Sequence, residues 1–416
     1  MFRVTTGMLK DTMLYNVQHN QRRMSRVQNQ IATGLKAHKP HHDPIGVTNS
    51  MQLKSRLTGL KKYRSNAIDS DSRLKFYDTA IESTGQILHE LRTMAVQHAN
   101  GTYTDFDRKA AASKVDQLLK QMLQIANTRY KDETLFSGHK TTTLPFRAFI
   151  ETVPGSPHGL INRVEYQGDI GRHTREIEQL QYMDINLVGN KVFWGDNMKV
   201  HSSTPGTNYT AARDQVFRID GVAVNVMAGD NLRVIVQKIN ATNLPIHASI
   251  DNTRGTNLLV LESTSPHQLW VEDIRGGTVM QDLGIIGRGG NTPPGNFSTT
   301  AKVDGGSIFD QVIAFRNALL ANDREKIGSM HLGKLDAAMK QIIHARGEVG
   351  AMTSRLDAVQ KRLYTDQVNT TDILSKTQDV DLAEATTRLK MLEFVHKASL
   401  QVGSRIIPHT LLDFLR

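Results

Sequence analysis

The segment "LDAAMKQIIHARGEVGAMTSRLDAVQKRL", residues 335–363, decides the fold. Its apolar residues alternate steps of three and four positions, which is the a/d pattern of a coiled coil. They are Leu335, Ala338, Ile342, Ala345, Val349, Met352, Leu356, Val359 and Leu363. Because such a narrow apolar stripe leaves water only against another helix, the pattern predicts a long helix with a helical partner.

Candidate partner helices occur at both ends of the chain. A seven-residue repeat runs through Leu60, Ala67, Leu74, Ile81, Leu88 and Ala95. A shorter seam precedes it at Met13, Val17, Met24, Val27 and Ile31. A final segment carries Ala385, Leu389, Leu392, Val395, Val402 and Ile406. We therefore expect the terminal helices to pack in an intramolecular bundle, with apolar ends left for partners outside the chain.

Proline and glycine separate these flanks from the middle of the chain. No proline occurs in residues 45–144 or 295–407, whereas eight of the eleven prolines lie in residues 145–294, together with sixteen glycines. Since proline breaks helices and glycine weakens them, the flanks are predicted to be helical and the middle is not. The predicted fold is mostly α with a β insert, an elongated helical coiled-coil or bundle stalk that carries a small β-rich module.

This organisation predicts five parts. Residues 1–50 form an N-terminal helix and connector, and residues 51–144 form the first part of the helical stalk. Residues 145–305 form the β-rich insert, with a β-β-α-β unit near residues 215–262. Residues 306–375 return to the stalk, and residues 376–416 form a C-terminal helix.

The middle segment alternates like strands. "FRIDGVAVNV", residues 217–226, places Phe217, Ile219, Val222, Val224 and Val226 on alternate positions around an Asp-Gly turn. "NLRVIVQKIN", residues 231–240, then has helical spacing, and "IHASI", "LLVLES" and "LWVEDI" are strand-like. "VEYQGDIGRHTREIEQ", residues 164–179, is predicted to turn at Gly-Asp-Ile-Gly between two extended stretches.

Composition excludes several classes of function. The chain has no cysteine, so thiol catalysis and thiolate metal sites are excluded. It shows no apolar run long enough for a membrane span and no cleavable secretion signal. Residues 1–75 hold fourteen Lys or Arg against four Asp. A basic coiled coil that binds nucleic acid or a membrane surface is therefore an alternative, which salt-sensitive DNA binding would favour.

One histidine-rich segment resembles a metal site. "ATGLKAHKPHHDPIGV", residues 32–47, contains His38, His41, His42 and Asp43, which are possible metal ligands. Two prolines bracket the cluster. Gly34 is typical of a helix C-cap, and Asp43-Pro44 is typical of a helix start. We therefore interpret the segment as a corner between helices. "HELRT" lacks the second histidine of a zinc helix, and the glycine-rich residues 284–295 lack a phosphate-loop ending. No metal, cofactor or catalytic residue is predicted, and the protein is not expected to be an enzyme.

Several of these stretches resemble the flagellin family. "NQIATGLKAHKPHHDPIGV", residues 29–47, is similar to the N-terminal signature of that family, with Thr33, Gly34, Asp43 and Pro44 matching and His42 departing from it. Residues 92–138 and the C-terminal stretches 346–363 and 375–416 resemble the family as well. Within it, "LFSGHKTTTLPF", "YQGDIGRHTREI" and "GNKVFWG" are similar to the hook-associated members, whereas the ending "LLDFLR" also resembles flagellin itself.

The resemblance implies a structural adaptor of the bacterial flagellum that joins the hook to the filament, with flagellin as the alternative. It implies export without a cleaved signal and a location in the flagellum, external or periplasmic. It also implies contacts with the first hook-associated protein, with flagellin and with copies of the chain in a ring-like tier. The N-terminal region is expected to order only on assembly. Before secretion an export chaperone would bind the C-terminal helix.

The residues expected to carry these contacts form two sets. The predicted coiled-coil interface comprises Val17, Met24, Val27, Ile31, Leu60, Leu74, Ile81, Leu88, Leu335, Ile342, Val349, Leu356 and Leu363. The predicted C-terminal surface for assembly and for the chaperone comprises Leu389, Leu392, Val395, Val402, Ile406 and Leu411.

Overall fold

A computed structural model describes residues 6–37, 40–41, 43–100, 102–153, 159–252, 256–274, 276–288 and 292–406. The chain divides into two compact units, which are described separately. The terminal unit comprises Met1–Ser65 and Gln360–Arg416, and the central unit comprises Asn66–Val359.

Helices dominate both flanks, as the proline distribution predicts. The described helices are α1 (Thr6–Thr33), α2 (Pro44–Ala99), α3 (Asp105–Ala126), α4 (Gly189–Val192), α5 (Leu232–Asn240), α6 (Val279–Asp282), α7 (Ile308–Leu320), α8 (Arg324–Lys326), a π-helical turn (Ile327–His331), α9 (Leu332–Gln378) and α10 (Leu382–Ile406). The two longest, α2 and α9, have 56 and 47 residues and carry the two longest predicted seams. The prediction of a mostly α fold with a β insert is confirmed.

The strands lie between the two helical flanks. They are β1 (Arg129–Tyr130), β2 (Glu133–Thr134), β3 (Phe146–Thr152), β4 (Gly159–Tyr166), β5 (Thr174–Glu178), β6 (Gln181–Asp184), β7 (Lys199–His201), β8 (Gln215–Ile219), β9 (Val222–Val226), β10 (Ile246–Asp251), β11 (Leu258–Ser263), β12 (Val271–Ile274) and β13 (Lys302–Asp304). All pairings are antiparallel. The short β1–β2 hairpin follows α3 directly and was not anticipated from the sequence.

The helical part of the central unit is built from the central-unit portions of α2 and α9 with α3 and α7. Gly85 of α2 lies against Ile342 of α9, and Arg92 of α2 pairs with Asp336 of α9 at 2.5 Å. Helix α3 packs against α7, and here a fully buried guanidinium, that of Arg316, pairs with the buried Asp116 carboxylate at 2.9 Å. Burial lowers the pKa of Arg316, while the hydrogen bond to Asp116 opposes this shift.

Capping side chains fix where two of these helices begin. Thr104 and Asp107 form a reciprocal capping box at the start of α3, and Ser307 and Asp310 form another at the start of α7. Each box satisfies backbone N–H groups that a helix start otherwise leaves unpaired. Helix α2 ends at Ala99 and α3 begins at Asp105, so a short connection separates the two helices.

The β part of the central unit has its own apolar core. Strand β12 pairs with β8 and β8 with β9, while a second sheet has the order β10-β11-β7-β13. Phe217, Ile219, Val224 and Val226 are buried in this core together with Ile235 and Ile239 of α5. The predicted hairpin is confirmed: Asp220 and Gly221 form its turn with φ of 48° and 83°, as a type I′ turn requires.

Other predictions for the insert are confirmed. The predicted turn after Tyr166 lies between β4 and β5, and "IHASI", "LLVLES" and "LWVEDI" contain β10, β11 and β12. The middle of the chain also contains α4 and α6, for which the sequence analysis identified no helical pattern. Each has four residues, so neither is long enough to produce a helical period in the sequence.

One hairpin turn holds an apolar residue in an unfavourable backbone conformation. Leu180 connects β5 to β6 with a φ of 61°, and 81% of its surface is exposed. A left-handed conformation costs an L-residue roughly 1–2 kcal/mol. Leu180 therefore combines backbone strain with an exposed apolar side chain.

Candidate assembly interface

Helices α1 and α10 of the terminal unit pack along one narrow seam. Val27 of α1 is buried against Ala385 and Leu392 of α10. Further apolar residues pack around these three, namely Met24, Ile31, Val380 and Leu389. Each helix thus buries only a thin apolar stripe, as an a/d pattern specifies.

A glycine allows close approach at the far end of this seam. A Cβ atom added to Gly403 of α10 would lie 1.7 Å from the Cε atom of Met13 in α1. Any larger residue at position 403 therefore requires the Met13 side chain to move. Gly403 was not singled out in the sequence, because a lone glycine inside a helix has no distinctive pattern.

The connector between α1 and α2 is capped at both ends, as predicted. Gly34 follows α1 with a φ of 72°, and its N–H donates to the carbonyl of Gln30 at 2.8 Å. Asp43 precedes α2, and its Oδ1 accepts from the N–H of Gly46 at 2.9 Å. Pro44 is the first residue of α2.

This connector is hydrogen-bonded to the loop between α9 and α10. The N–H of Val380 donates to the carbonyl of Gly34 at 2.9 Å, and the N–H of Lys36 donates to the carbonyl of Gln378 at 2.8 Å. Leu35 and Asp379 form an antiparallel bridge between these two bonds. We call this pairing the clasp. Asp381 follows it and caps α10 through the N–H groups of Ala383 and Glu384, at 2.9 and 3.2 Å.

Helix α10 has a second apolar stripe that α1 does not cover. Met391, Phe394 and Val402 are 69%, 74% and 54% exposed. At 3.6 residues per turn these three residues fall within about 80° of the helix circumference, with Val402 at the border of the stripe, about 80° from both Phe394 and Leu392. Met8, Leu9, Leu14 and Tyr15 are likewise exposed on α1. The two paired helices therefore present apolar surface suited to further helices.

The terminal unit also holds the excess positive charge of the chain. Its two segments contain 20 Lys or Arg and 9 Asp or Glu, a net charge of +11, whereas the whole chain has a net charge of +10. Arg22, Arg23 and Arg26 of α1 form no ion pair with any residue that the structure describes. Acidic surface on a partner would complement this field.

The structure distributes the predicted interface residues over several environments. Leu60, Leu74, Ile81 and Leu88 of α2 are buried, as are Leu335, Ile342, Val349, Leu356 and Leu363 of α9. On α1, Val27 is buried and Val17, Met24 and Ile31 are partly buried. On α10, Leu392 is buried, Leu389 and Val395 are partly buried, and Val402 is exposed. Ile406 ends α10, and Leu411 lies outside the described residues.

Sequence reasoning joined Leu392 and Val402 in one set, although Leu392 is buried in the seam and Val402 is 54% exposed. It also missed Met391 and Phe394, which share the exposed stripe with Val402. Their spacing of three and then eight residues is visible in the sequence, but the neighbouring seam obscured it.

Two other expectations concern this part of the chain. His38 and His42 lie outside the described residues, and no three His, Asp or Glu side chains within the described ranges could hold a metal ion together. Among the helices that the structure describes, none combines the length and the apolar character needed to cross a membrane.

Paired terminal helices, capped connectors and a β-rich insert define a class of helical-stalk proteins with an inserted module. The N-terminal part of the chain matches the family model of the bacterial flagellin N-terminal helical region over residues 4–141. The C-terminal part matches the model of the bacterial flagellin C-terminal helical region over residues 332–415. Since the two regions cover more than half of the sequence, the chain belongs to the flagellin family, whose members are structural proteins of the bacterial flagellum.

Individual relatives agree with this assignment. A flagellin of Clostridium tyrobutyricum is 23% identical over 400 residues, which cover 91% of this chain and 92% of the relative. Flagellin B of Vibrio anguillarum is 24% identical over 380 residues, which cover 89% of this chain and 88% of the relative.

Similar solved structures include flagellar hook-associated protein 3 of Legionella pneumophila, with 17% identity and a TM-score of 0.46, over 78% of this chain and 98% of that one. Another is a putative flagellar hook-associated protein of Vibrio parahaemolyticus, with 13% identity and a TM-score of 0.48, over 81% of this chain and 100% of that one.

Proposed function

We propose that this flagellar protein is the adaptor at the hook–filament junction, acting as hook-associated protein 3. The proposal rests on three stretches that resemble the hook-associated members of the family. They are "LFSGHKTTTLPF" (residues 135–146), "YQGDIGRHTREI" (residues 166–177) and "GNKVFWG" (residues 189–195).

The observation that carries the proposal is that these three stretches meet at one place in the central unit. The N–H of Asp169 donates to the carbonyl of Ser137 at 2.9 Å, and the Asp169 Oδ1 accepts from the N–H of His139 at 2.7 Å. The N–H of Gly189 donates to the carbonyl of Phe136 at 2.8 Å, and the Tyr166 hydroxyl lies 2.9 Å from the same oxygen. Stretches far apart in sequence thus form one hydrogen-bonded structure.

The hydrogen-bonded structure formed by these three stretches tolerates only particular residues at some positions, which explains why their sequence is distinctive. Gly138 has a φ of 69°, and a Cβ there would lie 2.1 Å from the Asp169 Oδ1. A Cβ on Gly168 would lie 2.3 Å from the Tyr166 hydroxyl oxygen. A side chain at either glycine would disturb the hydrogen bonds that join residues 135–146 to residues 166–177. The resemblance of these stretches to the hook-associated members therefore reflects residues that the structure of this region requires.

In the proposed role the function is mechanical. Copies of the chain form a ring-like tier through head-to-tail contacts, with the first hook-associated protein on one side and flagellin on the other. The exposed stripe of Met391, Phe394 and Val402 and the unpaired arginines of α1 are the surfaces available for these contacts. The chain leaves the cell through the flagellar export route.

Before export, a chaperone that covers α10 keeps the same surface from assembling. Chaperone binding and assembly are mutually exclusive, because both use the apolar residues of one helix.

A deletion strain tests the proposal. Cells that lack this protein are expected to build hooks and secrete flagellin monomers into the medium, but to retain no filaments. Electron microscopy of the cells and immunoblotting of the medium measure both results. Filaments that remain attached in the deletion strain contradict the junction role.

Flagellin itself is the second candidate, because the relatives from Clostridium tyrobutyricum and Vibrio anguillarum carry that name and match most of the chain. Labelling an epitope inserted at the exposed turn beside Leu180 separates the two roles. A junction protein is labelled only where filament meets hook, whereas a flagellin is labelled along the filament.

A further inference from the structure

A groove in the central unit lies beside strand β4. Its volume is about 690 Å³, within the range of specific ligand sites. The lining includes the apolar side chains of Trp194, Met198, Phe297 and Val303. Val303 is 41% exposed at the centre of β13, which is the edge strand of its sheet. The groove thus combines apolar surface with an open strand edge.

The groove follows the edge of β4. Five consecutive residues, 163–167, line it. The side chains of a strand alternate between its two faces, so a groove on one face would contact only every second residue. A groove that contacts consecutive residues must therefore run along the backbone edge of the strand. Strand β3 pairs with the other edge of β4, and no other strand is paired with β4 among the described residues. Alternate N–H and C=O groups of β4 are therefore directed toward the groove.

Two of the residues that line the groove hold buried polar atoms that have no hydrogen-bond partner among the described residues. They are the Trp194 Nε1, a hydrogen-bond donor, and the Gln268 Oε1, an acceptor. Trp194 is itself more than nine-tenths buried. An unpaired buried polar atom costs roughly 1–3 kcal/mol. The residues that line the groove therefore retain hydrogen-bonding capacity that the described part of the chain does not use.

The rim of the groove carries two cations, Lys140 and Arg163, and two carboxylates, Glu165 and Asp310, so its net charge is zero although not every charge is paired. Arg163 pairs with Glu165 at 3.1 Å, and Asp310 accepts from the N–H of Ser307 at 2.9 Å. The Lys140 ammonium has no carboxylate partner within the part of the chain that the structure describes. The end of the groove at Lys140 therefore favours a ligand group with a negative charge.

We propose that this groove binds an extended polypeptide segment of a partner chain, which adds as a strand to the free edge of β4. The segment has apolar side chains at alternate positions, which face Val303 and Phe297, and an acidic residue at the end near Lys140. This inference is independent of the junction role, because the groove lies within the central unit and is tested on the purified protein.

The test uses the full-length protein and a fluorescent octapeptide in which valine and threonine alternate after an N-terminal aspartate. We expect saturable binding by fluorescence anisotropy. Hydrogen exchange is expected to slow at the amides of residues 163–167 and not in the β8–β9 hairpin. Absence of saturable binding, or slowed exchange elsewhere only, overturns the proposal.

Matched variants separate strand addition from non-specific apolar binding. Val303→Asp is expected to weaken binding at least tenfold, whereas Val222→Asp, at a position 42% exposed on β9, leaves binding unchanged. Lys140→Gln is expected to weaken binding severalfold, and to have no effect when the aspartate of the peptide is replaced by asparagine. Thermal melts verify that each variant is folded.

A peptide with N-methylated alternate amides is a second control. Both registers of methylation are tested, because N-methylation on the strand edge that meets β4 removes the required N–H donors. One of the two methylated peptides is expected to lose binding at least tenfold. Equal binding of all three peptides, or equal binding to Val303→Asp and Val222→Asp, overturns the proposal.

Discussion

The terminal and central units bury apolar residues of similar spacing to different extents. In the central unit, Leu74, Ile81 and Leu88 are inaccessible to solvent, and even the charged pair of Arg316 and Asp116 is enclosed. In the described part of the terminal unit, the buried core of the α1–α10 pair consists of Val27, Ala385 and Leu392, while Phe394 is 74% exposed. The difference shows that an apolar seam predicts that a helix packs against another helix. It does not show whether that second helix belongs to the same chain. The seam residues of the central unit are covered within that unit, whereas α10 of the terminal unit keeps a row of apolar residues exposed.

The largest expected effect is on the terminal unit. Leu392→Asp places a carboxylate in the α1–α10 seam, which is costly because an unpaired charge resists burial. We expect filaments to be lost while the melting of the central unit is unchanged. Secretion assays, electron microscopy and circular dichroism measure this. Thr386→Asp, at an exposed position of the same helix, is the control and should retain filaments.

A companion variant separates pairing within the chain from contacts outside it. Phe394→Asp removes an exposed apolar residue and should leave the monomer as stable as the wild type, yet it should also abolish filament retention. Normal filaments with Phe394→Asp would mean that the exposed stripe of α10 has no partner.

The second effect concerns the central unit. Asp116→Asn leaves the buried Arg316 guanidinium without its carboxylate, and breaking such a pair costs roughly 3–5 kcal/mol. Denaturant unfolding measures the loss. Asp105→Asn removes the solvent-exposed pair with Lys109 on the same helix and should cost well under about 1 kcal/mol. Similar losses for both variants would contradict the enclosed character of this core.

A smaller effect is a pH dependence of the central unit. Burial lowers the pKa of His98 and of His331, and Arg108 and Lys334 act in the same direction, opposed by Asp107 and Asp323. Since the unfolded histidines protonate first, stability is complete above the ordinary pKa near 6.5 and falls as the pH decreases below it. Urea unfolding from about pH 7.5 to about pH 5.5 measures the slope.

The double variant His98→Gln and His331→Gln is the matching control. Its free energy of unfolding should change less over the same pH interval. An unchanged slope would assign the acid sensitivity to other groups.

The smallest effect has the opposite sign. Leu180→Asn replaces a strained, exposed leucine by a residue that tolerates a positive φ. We expect the central unit to gain about 1 kcal/mol in stability. A higher melting temperature in differential scanning calorimetry is the readout, and Gln181→Asn at the adjacent strand position should produce no gain.

The sequence predicted what depends on local pattern. The long helices, the Asp220-Gly221 hairpin and the caps at Gly34 and Asp43 follow from periodicity and from residues with special backbone preferences. The clasp was not predictable, because it joins backbone groups of residues 34–36 and 378–380, and backbone hydrogen bonds leave no residue-type signal. The second stripe of α10 was missed because Val402 fits both stripes when only spacing is considered.

The clasp also constrains when the terminal unit can form. Lys36 and Lys376, which bond beside it, are 340 residues apart in sequence, so closing this contact fixes the two ends of the whole chain. Contacts of such high sequence separation form late, because the loop-closure entropy must be overcome before they provide stabilisation. A chain that emerges end first, from a ribosome or from a narrow channel, cannot close the clasp until its second terminus is free. The central unit also joins distant residues, since Arg92 and Asp336 are 244 positions apart, but all of its segments precede residue 360. It can therefore close before residues 360–416 are free, which leaves the assembly surface as the last part of the molecule to be completed.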